Sequence, residues 1–317
     1  MADKLVKYPI ASVEEEEIIE RKCPSGRILK VIGMNDRYRD LQFTTSGFIP
    51  DPRSHVPSLR TMDIYEDDVL VSAFPKCGTH WVWEMVKMLQ KGKAEYDKRP
   101  KEVAMLEFHS MDLLLEESRP RLYNTHNYPS EVPTGFLEGK GKVIFLLRNP
   151  KDVAVSFYSH MRLLKMNKDP MSWDDFVYLV ITYGGVSADW FEHTVKWENE
   201  MRKNRRTYLC LYYEEMKKNP LETVKTIADY LETPCTDLLA KDITTKCTLE
   251  KMRSANKDKH DDRNDSGPNP EMSNPDQMYR KGEVGDWKNW FTVAQNEAID
   301  RVIKTKMEGS SFILAYE

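Results

Sequence analysis

The chain has 317 residues, of which 40% are hydrophobic and 31% charged, and its formal net charge is −4. This length and mixture are typical of a globular protein with a large core, built as one large α/β domain or two small ones. The slight acidic excess argues against a nucleic-acid binder, which normally has a basic surface.

The first twenty residues form a polar segment that contains the acidic run Glu14 to Glu17. This segment lacks the basic-then-apolar order of a secretory signal. No apolar run in the chain reaches the roughly 20 residues that a membrane-spanning helix needs. The five cysteines are scattered without a CxxC pair, which indicates a reducing compartment and no structural metal. We therefore predict a cytoplasmic protein with no membrane and no metal partner.

A strand–loop–helix unit follows the acidic pair Asp67-Asp68. The apolar run from Val69 predicts a strand, and apolar residues at helical spacing from Trp81 onward predict an amphipathic helix. The intervening turn contains Lys76 and Gly78, which are typical of a phosphate-binding loop at a helix N-terminus. An ordinary turn with a surface lysine has the same short pattern, and the full GxxxxGKS/T pattern of nucleoside-triphosphatases is absent.

Two further apolar runs, Lys142–Leu147 and Tyr208–Tyr213, predict strands that are covered on both faces. Helical patterns follow them over 152–161 and 220–231. Strands that alternate with helices indicate a parallel sheet. We therefore predict an α/β fold, in which a central, mostly parallel sheet with helices on both faces forms a single domain over residues 1–317.

Ligands bind beyond the carboxyl ends of the strands in such sheets, where the phosphate-binding loop, Arg148 and Tyr213 fall. After Arg148, Asn149 suits a helix N-cap and Pro150 the first helical turn. Ser156 follows about two turns later, so that it and Arg148 can reach one anion from two sides. The alternative is a normal helix start whose arginine forms a surface ion pair.

Two segments near the C-terminus complete the pattern. The polar stretch 255–277 is rich in turn formers, and a loop of this length is either a functional lid or disordered; we predict a mobile lid. The stretch from Arg280 to Thr292 is a basic, Gly-rich turn that leads into a helix and again suits a phosphate.

Three segments of the chain resemble motifs of the cytosolic sulfotransferases, in the family's order. They are the Pro-Lys-x-Gly-Thr-x-Trp loop from Pro75, the string Leu147–Ser156, and the block Arg280–Thr292. The resemblance spans nearly the whole chain. It implies 3′-phosphoadenosine 5′-phosphosulfate as cofactor and sulfuryl transfer to a small phenol or hydrophobic alcohol.

The resemblance also assigns residues to the site. It implies that His126 is the general base and that Lys76 and Ser156 are the other catalytic residues. Lys76 would stabilise the leaving phosphate. The residues implied to bind the cofactor are Lys76, Cys77, Gly78, Thr79, His80, Trp81, Arg148, Ser156, Tyr213, Cys247, Thr248, Leu249, Met278, Tyr279, Arg280, Lys281 and Gly282.

The chain departs from the family pattern at four positions. Asn124 replaces a lysine two residues before His126, which removes a cation next to the sulfonate. Cys77 replaces a serine, whose role needs only a backbone N–H. His80 stands where a hydroxyl meets the 5′-phosphate; its ring N–H can replace that hydroxyl or act as a second cation. Leu249 replaces an aromatic residue that stacks on the adenine.

Three other interpretations of the protein's function remain open. Cys77 at a helix N-terminus, with His80, is also the pattern of a reactive thiol in a phosphatase or redox enzyme. The loss of a cation at position 124 also fits a cofactor-binding protein or a dehydratase, neither of which forms a stable sulfate ester. A P-loop kinase is disfavoured because the magnesium-binding Ser/Thr after a Gly-Lys pair is missing.

The resemblance extends to assembly. Residues 288–297 are similar to a short family motif through which two subunits pair, so we predict a homodimer. The residues of that contact are Lys288, Thr292, Val293 and Glu297. An ordinary helix start with Thr292 as its cap has the same residues.

Overall fold

The structure is a computed structural model, and it describes residues 18–34, 37–40, 50–163, 171–186, 188–203, 208–257, 259 and 279–317. The first seventeen residues of the predicted N-terminal segment lie outside this description, and the last three begin a strand. Most of the predicted lid, and Met278, also lie outside it.

The strands are β1 (Ile18–Lys22), β2 (Ile28–Met34), β3 (Arg37–Asp40), β4 (Val69–Ala73), β5 (Leu122–Thr125), β6 (Lys142–Leu147) and β7 (Tyr208–Tyr212). The α-helices are α1 (Pro52–Arg60), α2 (Thr79–Lys91), α3 (Met111–Leu115), α4 (Thr134–Leu137), α5 (Pro150–Leu163), α6 (Trp173–Tyr183), α7 (Trp190–Lys203), α8 (Tyr213–Lys218), α9 (Pro220–Leu231), α10 (Asp237–Lys246), α11 (Leu249–Asn256) and α12 (Val293–Lys306). Short 3₁₀ turns cover Lys101–Ala104, Pro129–Glu131 and Asp286–Asn289.

The central sheet has four parallel strands in the order β5-β4-β6-β7. Every residue of β4 and β5 is buried, as is every residue of β6 after Lys142. Since successive side chains point to opposite faces of a sheet, this burial requires that both faces be covered. The predicted α/β fold with a parallel central sheet is confirmed.

The carboxyl ends of these strands bring distant parts of the chain to one edge. Phe74 directly follows β4, and His126 directly follows β5. Arg148 directly follows β6, and Tyr213 directly follows β7. The chain order reverses at β4, because β5 lies on one side of it and β6 on the other. A reversal of this kind is where ligands bind in open α/β sheets.

Helix α2 starts directly from the loop after β4. Its residues Val82, Met85, Val86 and Leu89 are fully buried, which is the spacing predicted for an amphipathic helix. The helix ends at Gly92, whose N–H bonds to the carbonyls of Met88 and Leu89. Within the described residues, no helix combines the length and the apolar character needed to cross a membrane.

Two features differ from the sequence predictions. The last predicted strand ends at Tyr212, and Tyr213 begins α8. A separate antiparallel sheet, β1-β2-β3, was not predicted at all. Its middle strand buries the consecutive residues Val31 and Ile32 completely, so its sequence does not show the alternation that identifies a half-buried strand.

Candidate active site

The loop between β4 and α2 has an unusual backbone. Lys76 has φ 72° and Gly78, the N-cap of α2, has φ 105°. A Cβ at position 78 would lie 3.0 Å from the ring of Tyr213. Glycine is therefore required here both by its backbone conformation and by the approach of the tyrosine. The first-turn amides of α2, starting at Thr79, open onto the loop.

Lys76 lies in this loop among other cations. Burial lowers the pKa of its ammonium to about 7, and the nearby charges of Lys101 and Arg148 act in the same direction. An anion bound at this loop would restore the charge of Lys76. The loop therefore has the electrostatics of a site built for negative charge.

Arg148 joins three parts of the chain. Its Nη1 donates to the carbonyl of Lys76 (3.1 Å), its Nη2 donates to the carbonyl of Glu283 (2.9 Å), and its guanidinium lies 4.1 Å from the ring centre of Tyr213. Its Nε is buried and has no hydrogen-bond partner among the described residues. Such a donor fits an anionic ligand.

The block after Tyr279 adds two more cations. Arg280 Nη1 and Lys281 Nζ pair with the two oxygens of Asp286, at 2.7 and 2.6 Å. Although burial opposes ionisation, these hydrogen bonds and that of Asn289 lower the pKa of Asp286 to about 2. The Nε of Arg280 is a second buried donor that has no partner in the described part of the chain.

Asp152 fastens this block to α5. Its carboxylate accepts hydrogen bonds from the N–H groups of Gly285 (2.8 Å) and Trp287 (3.0 Å). Asn149 caps the same helix, since its Oδ1 accepts from the N–H of Asp152 (2.8 Å), as predicted. Ser156 lies half-buried further along α5. The start of α5, next to Arg148, is therefore hydrogen-bonded to the C-terminal block.

The residues predicted to hold the adenine form two contacting pairs. Trp81 and Tyr213 meet edge to face, with ring centres 5.9 Å apart, and Trp81 Nε1 is buried with no described partner. Leu249 lies against Gly282, where a Cβ would lie 3.2 Å from its Cδ1. The rings of His80 and Tyr279 also meet edge to face, with centres 5.9 Å apart, so the phosphate loop and the C-terminal block line a common region.

Further members of this group lie at the junction of α10 and α11. Cys247 is buried, and Thr248 is the exposed N-cap of the helix. Arg253 Nη2 donates to the carbonyls of Tyr279 and Arg280 (2.9 Å to the latter), which fixes α11 against the C-terminal block.

His126 lies immediately beyond β5, next to the phosphate loop. Its Nδ1 is 2.7 Å from the carbonyl oxygen of Ala73, the last residue of β4. A carbonyl only accepts, so Nδ1 carries the hydrogen and Nε2 is the basic nitrogen. Its backbone N–H donates to Glu107 Oε1 (2.7 Å). Burial, and next the charge of Lys101, lower the pKa of His126 well below 6.5.

His80 is engaged with a carboxylate. Its Nε2 donates to Glu102 Oε1 (2.9 Å), and burial lowers its pKa to about 4. At neutral pH the ring is therefore neutral, with the hydrogen on Nε2, and its Nδ1 can only accept. In the structure the N–H of His80 is directed to Glu102, and the role of His80 toward a phosphate stays a prediction.

A family model of the sulfotransferase domain matches residues 66–311, which is most of the chain. The chain belongs to the sulfotransferase family. Sulfotransferase 1B1 of Canis lupus familiaris is 35% identical over 257 residues, which cover 77% of this chain and 85% of that protein. Sulfotransferase 1C2 of Homo sapiens is 30% identical over 274 residues, covering 82% and 89% respectively. The predicted family and a sulfotransferase activity are thereby confirmed.

Solved structures agree with this assignment. Mouse sulfotransferase SULT7A1, complexed with PAP, superposes with a TM-score of 0.70 at 26% identity, covering 89% of this chain and 96% of that one. Retinol dehydratase, in complex with androsterone and the inactive cofactor PAP, superposes with a TM-score of 0.73 at 17% identity, covering 98% and 100%. The latter likeness concerns the fold alone.

The structure of this sulfotransferase also bears on the alternatives. Cys77 is completely buried, and burial raises the pKa of its thiol to about 12, which opposes the thiolate that a phosphatase or redox mechanism needs. Among the residues described, no group of three or more His, Cys, Asp or Glu side chains is arranged to hold a metal ion.

Sequence reasoning missed Lys101, Glu102 and Glu107. Lys101 Nζ donates to Asn124 Oδ1 (2.6 Å), Glu102 accepts from His80, and Glu107 Oε2 accepts from Thr125 Oγ1 (2.9 Å). All three come from the irregular segment 101–107, which has no motif and no regular spacing. Only the loss of a lysine at position 124 pointed to this region.

Proposed function

We propose that this protein transfers a sulfuryl group from 3′-phosphoadenosine 5′-phosphosulfate to the hydroxyl of a small phenol or hydrophobic alcohol. The observation that supports this most is the hydrogen bond from His126 Nδ1 to Ala73 O, which makes Nε2 a base directly beside the phosphate-binding loop.

The cofactor site is proposed from the anion-binding features of the described residues. Lys76, the amides of Cys77, Gly78, Thr79 and His80, and the guanidinium of Arg148 would hold the phosphates. The buried Nε atoms of Arg148 and Arg280, which have no hydrogen-bond partner among the described residues, fit a ligand with more than one anionic group. Trp81, Ser156, Tyr213, Cys247, Thr248, Leu249, Met278, Tyr279, Lys281 and Gly282 are proposed to complete the site.

The bound cofactor supplies a sulfuryl group attached to a phosphate that can leave. With the cofactor bound, His126 Nε2 would accept the proton of the acceptor hydroxyl. The ammonium of Lys76 would offset negative charge on the leaving phosphate. Ser156, together with Arg148, is proposed to hold the 3′-phosphate of the cofactor.

The acceptor would lie against aromatic side chains next to the base. Phe74 follows Ala73 directly, and its ring meets that of Phe157 edge to face, with ring centres 6.1 Å apart. Phe108, Tyr128 and Tyr158 are further buried aromatics that we propose as walls of this pocket. Apolar walls with one polar reacting group favour a hydrophobic acceptor.

We also propose a homodimer in the cytoplasm, with residues 1–317 forming one domain. Four exposed side chains would make the subunit contact: Lys288, Thr292, Val293 and Glu297. Val293 is 76% exposed, which is unusual for an aliphatic residue. The five cysteines are all free, in accord with a reducing compartment.

The function is tested by transfer of labelled sulfate from the cofactor to a panel of phenols and alcohols, comparing the wild type with His126→Ala. We expect transfer by the wild type and a loss of about 10²- to 10⁴-fold in the variant, with PAP affinity unchanged. A wild type that binds PAP tightly but forms no sulfate ester would contradict a transferase. Release of sulfate with a dehydrated product would instead identify a dehydratase.

A further inference from the structure

The 3₁₀ turn Lys101–Ala104 holds a buried ammonium group. Lys101 is only 3% exposed, and its Nζ donates to Asn124 Oδ1 at 2.6 Å. Asn124 is fully buried on β5, and its Nδ2 donates back to the carbonyl of Lys101 at 3.0 Å. Both polar atoms of the amide are thus used to hold one lysine.

Among the described residues, this ammonium has only a long ion pair and no hydrogen-bonded carboxylate. Glu102 Oε1 lies 3.9 Å from Lys101 Nζ, beyond hydrogen-bonding distance, and also accepts from His80. In the described part of the chain, no carboxylate comes within hydrogen-bonding distance of Lys101. Burying an ammonium in this way opposes folding, and burial lowers its pKa. A charge kept at such a cost is a candidate for function.

The ammonium lies beside the reacting groups. Asn124 and His126 are two residues apart at the end of β5, a spacing that places side chains on the same side of an extended chain. After burial, the charge of Lys101 is the next largest cause that lowers the pKa of both His126 and Lys76. The base, the loop lysine and Lys101 therefore lie within one electrostatic cluster.

We propose that Lys101 supplies a second fixed positive charge to the reacting centre and that Asn124 positions it. In the sequence motif, the residue two places before the histidine is a lysine; here an asparagine occupies that position and binds a lysine from a neighbouring turn. The positive charge next to position 124 thus comes from Lys101, which lies outside β5. This inference rests on the proposed sulfuryl transfer, in which negative charge grows on the leaving oxygen beside Lys76.

Other charges act on the same groups. Glu102 and Glu107 act on Lys101, while Arg148, Glu102 and Arg280 act on Lys76. His193 and His80 act on His126. All of them remain in place in the variants below, so the effect of Lys101 can be isolated.

The first test removes the lysine at position 101 and then places a lysine at position 124. Lys101→Met keeps the length of the side chain and removes its charge, and we expect kcat to fall at least 10-fold with PAP affinity within 3-fold of wild type. The double variant Lys101→Met with Asn124→Lys returns a lysine to β5 and should recover kcat to within about 3-fold. Lys140→Met, at a side chain that is 62% exposed, is the matched control and should change neither quantity.

The second test does not depend on turnover. Titration of the His126 imidazole by NMR in the free protein should show a higher pKa in Lys101→Met, because a neighbouring cation has been removed, and no change in Lys140→Met. A wild-type kcat in Lys101→Met together with an unchanged His126 pKa would overturn the proposal. Failure of the double variant to recover kcat, with wild-type melting temperature and PAP affinity, would overturn it as well. A wild type without transferase activity would refute the proposed function, whereas the His126 titration would still decide whether Lys101 acts on the base.

Discussion

The imidazole Nδ1 of His126 and the carbonyl oxygen of Ala73 lie 2.7 Å apart, so that the base is held by the strand that leads into the phosphate loop. This contact fixes the tautomer of His126 and links its position to that of the loop. A change at the end of β4 therefore alters the base and the anion site together.

The protonation of His126 should follow pH in a way that can be measured directly. Because burial and the charge of Lys101 lower the pKa of His126 well below 6.5, Nε2 stays unprotonated and basic throughout the neutral range in the free protein. We expect the imidazole of His126, titrated by NMR in the absence of cofactor, to remain neutral from pH 8 down to 6.5 and to take up a proton only at lower pH. A titration midpoint at or above pH 6.5 would contradict this assignment.

Binding of PAP should be coupled to uptake of a proton by Lys76. The pKa of this lysine is lowered to about 7 in the free protein, so at pH 8 it is mostly neutral. A bound anion favours the charged form and raises the pKa again. Calorimetry at pH 8 in buffers of different ionisation enthalpy should therefore show uptake of about one proton per site.

Lys76→Arg provides the matched control for that experiment. The guanidinium of arginine remains charged at this pH, so the variant should bind PAP without proton uptake. Equal uptake by the wild type and the variant would show that another group is responsible.

Gly78→Ala should abolish tight binding of PAP. The alanine would have to adopt φ 105°, and its Cβ would lie 3.0 Å from the ring of Tyr213. We expect at least a 10-fold loss of affinity, measured by calorimetry, because the loop or the tyrosine must move.

Gly92→Ala is a control that separates the effect of the contact with Tyr213 from that of backbone strain. Gly92 also has positive φ (63°), but a Cβ there would meet nothing within 4 Å. The Gly92→Ala substitution should lower the free energy of unfolding by about 1 kcal/mol and leave PAP affinity unchanged. If both variants lost affinity equally, strain rather than the contact with Tyr213 would be the cause.

The proposed dimer should be sensitive to a charge at Val293. Val293→Glu places a carboxylate on the proposed contact, where the two subunits would meet, and we expect a monomer by analytical ultracentrifugation. Ile313 is 82% exposed and lies outside the proposed contact, so Ile313→Glu is a control that should remain dimeric. A Val293→Glu variant that sedimented as a dimer would place the interface elsewhere.

The sequence predicted the parts of the site that follow local rules. The loop around Gly78, the N-cap Asn149 and the apolar strands β4 and β6 each have a pattern that short-range physics explains. Lys101 and the pair formed by His80 and Glu102 have none, because they meet only through tertiary packing. A buried ion in an irregular turn has the same sequence signature as an exposed one.

The contacts of Asp152 with the C-terminal block also form only through tertiary packing, so local sequence does not predict them. They have a consequence for biosynthesis. Two of the hydrogen-bond donors to Asp152, the backbone N–H groups of Gly285 and Trp287, lie more than 130 residues further along the chain. A nascent chain that ends before residue 285 leaves this buried carboxylate without them. The anion-binding edge is therefore completed only once Gly285 and Trp287 have been synthesised and have reached α5.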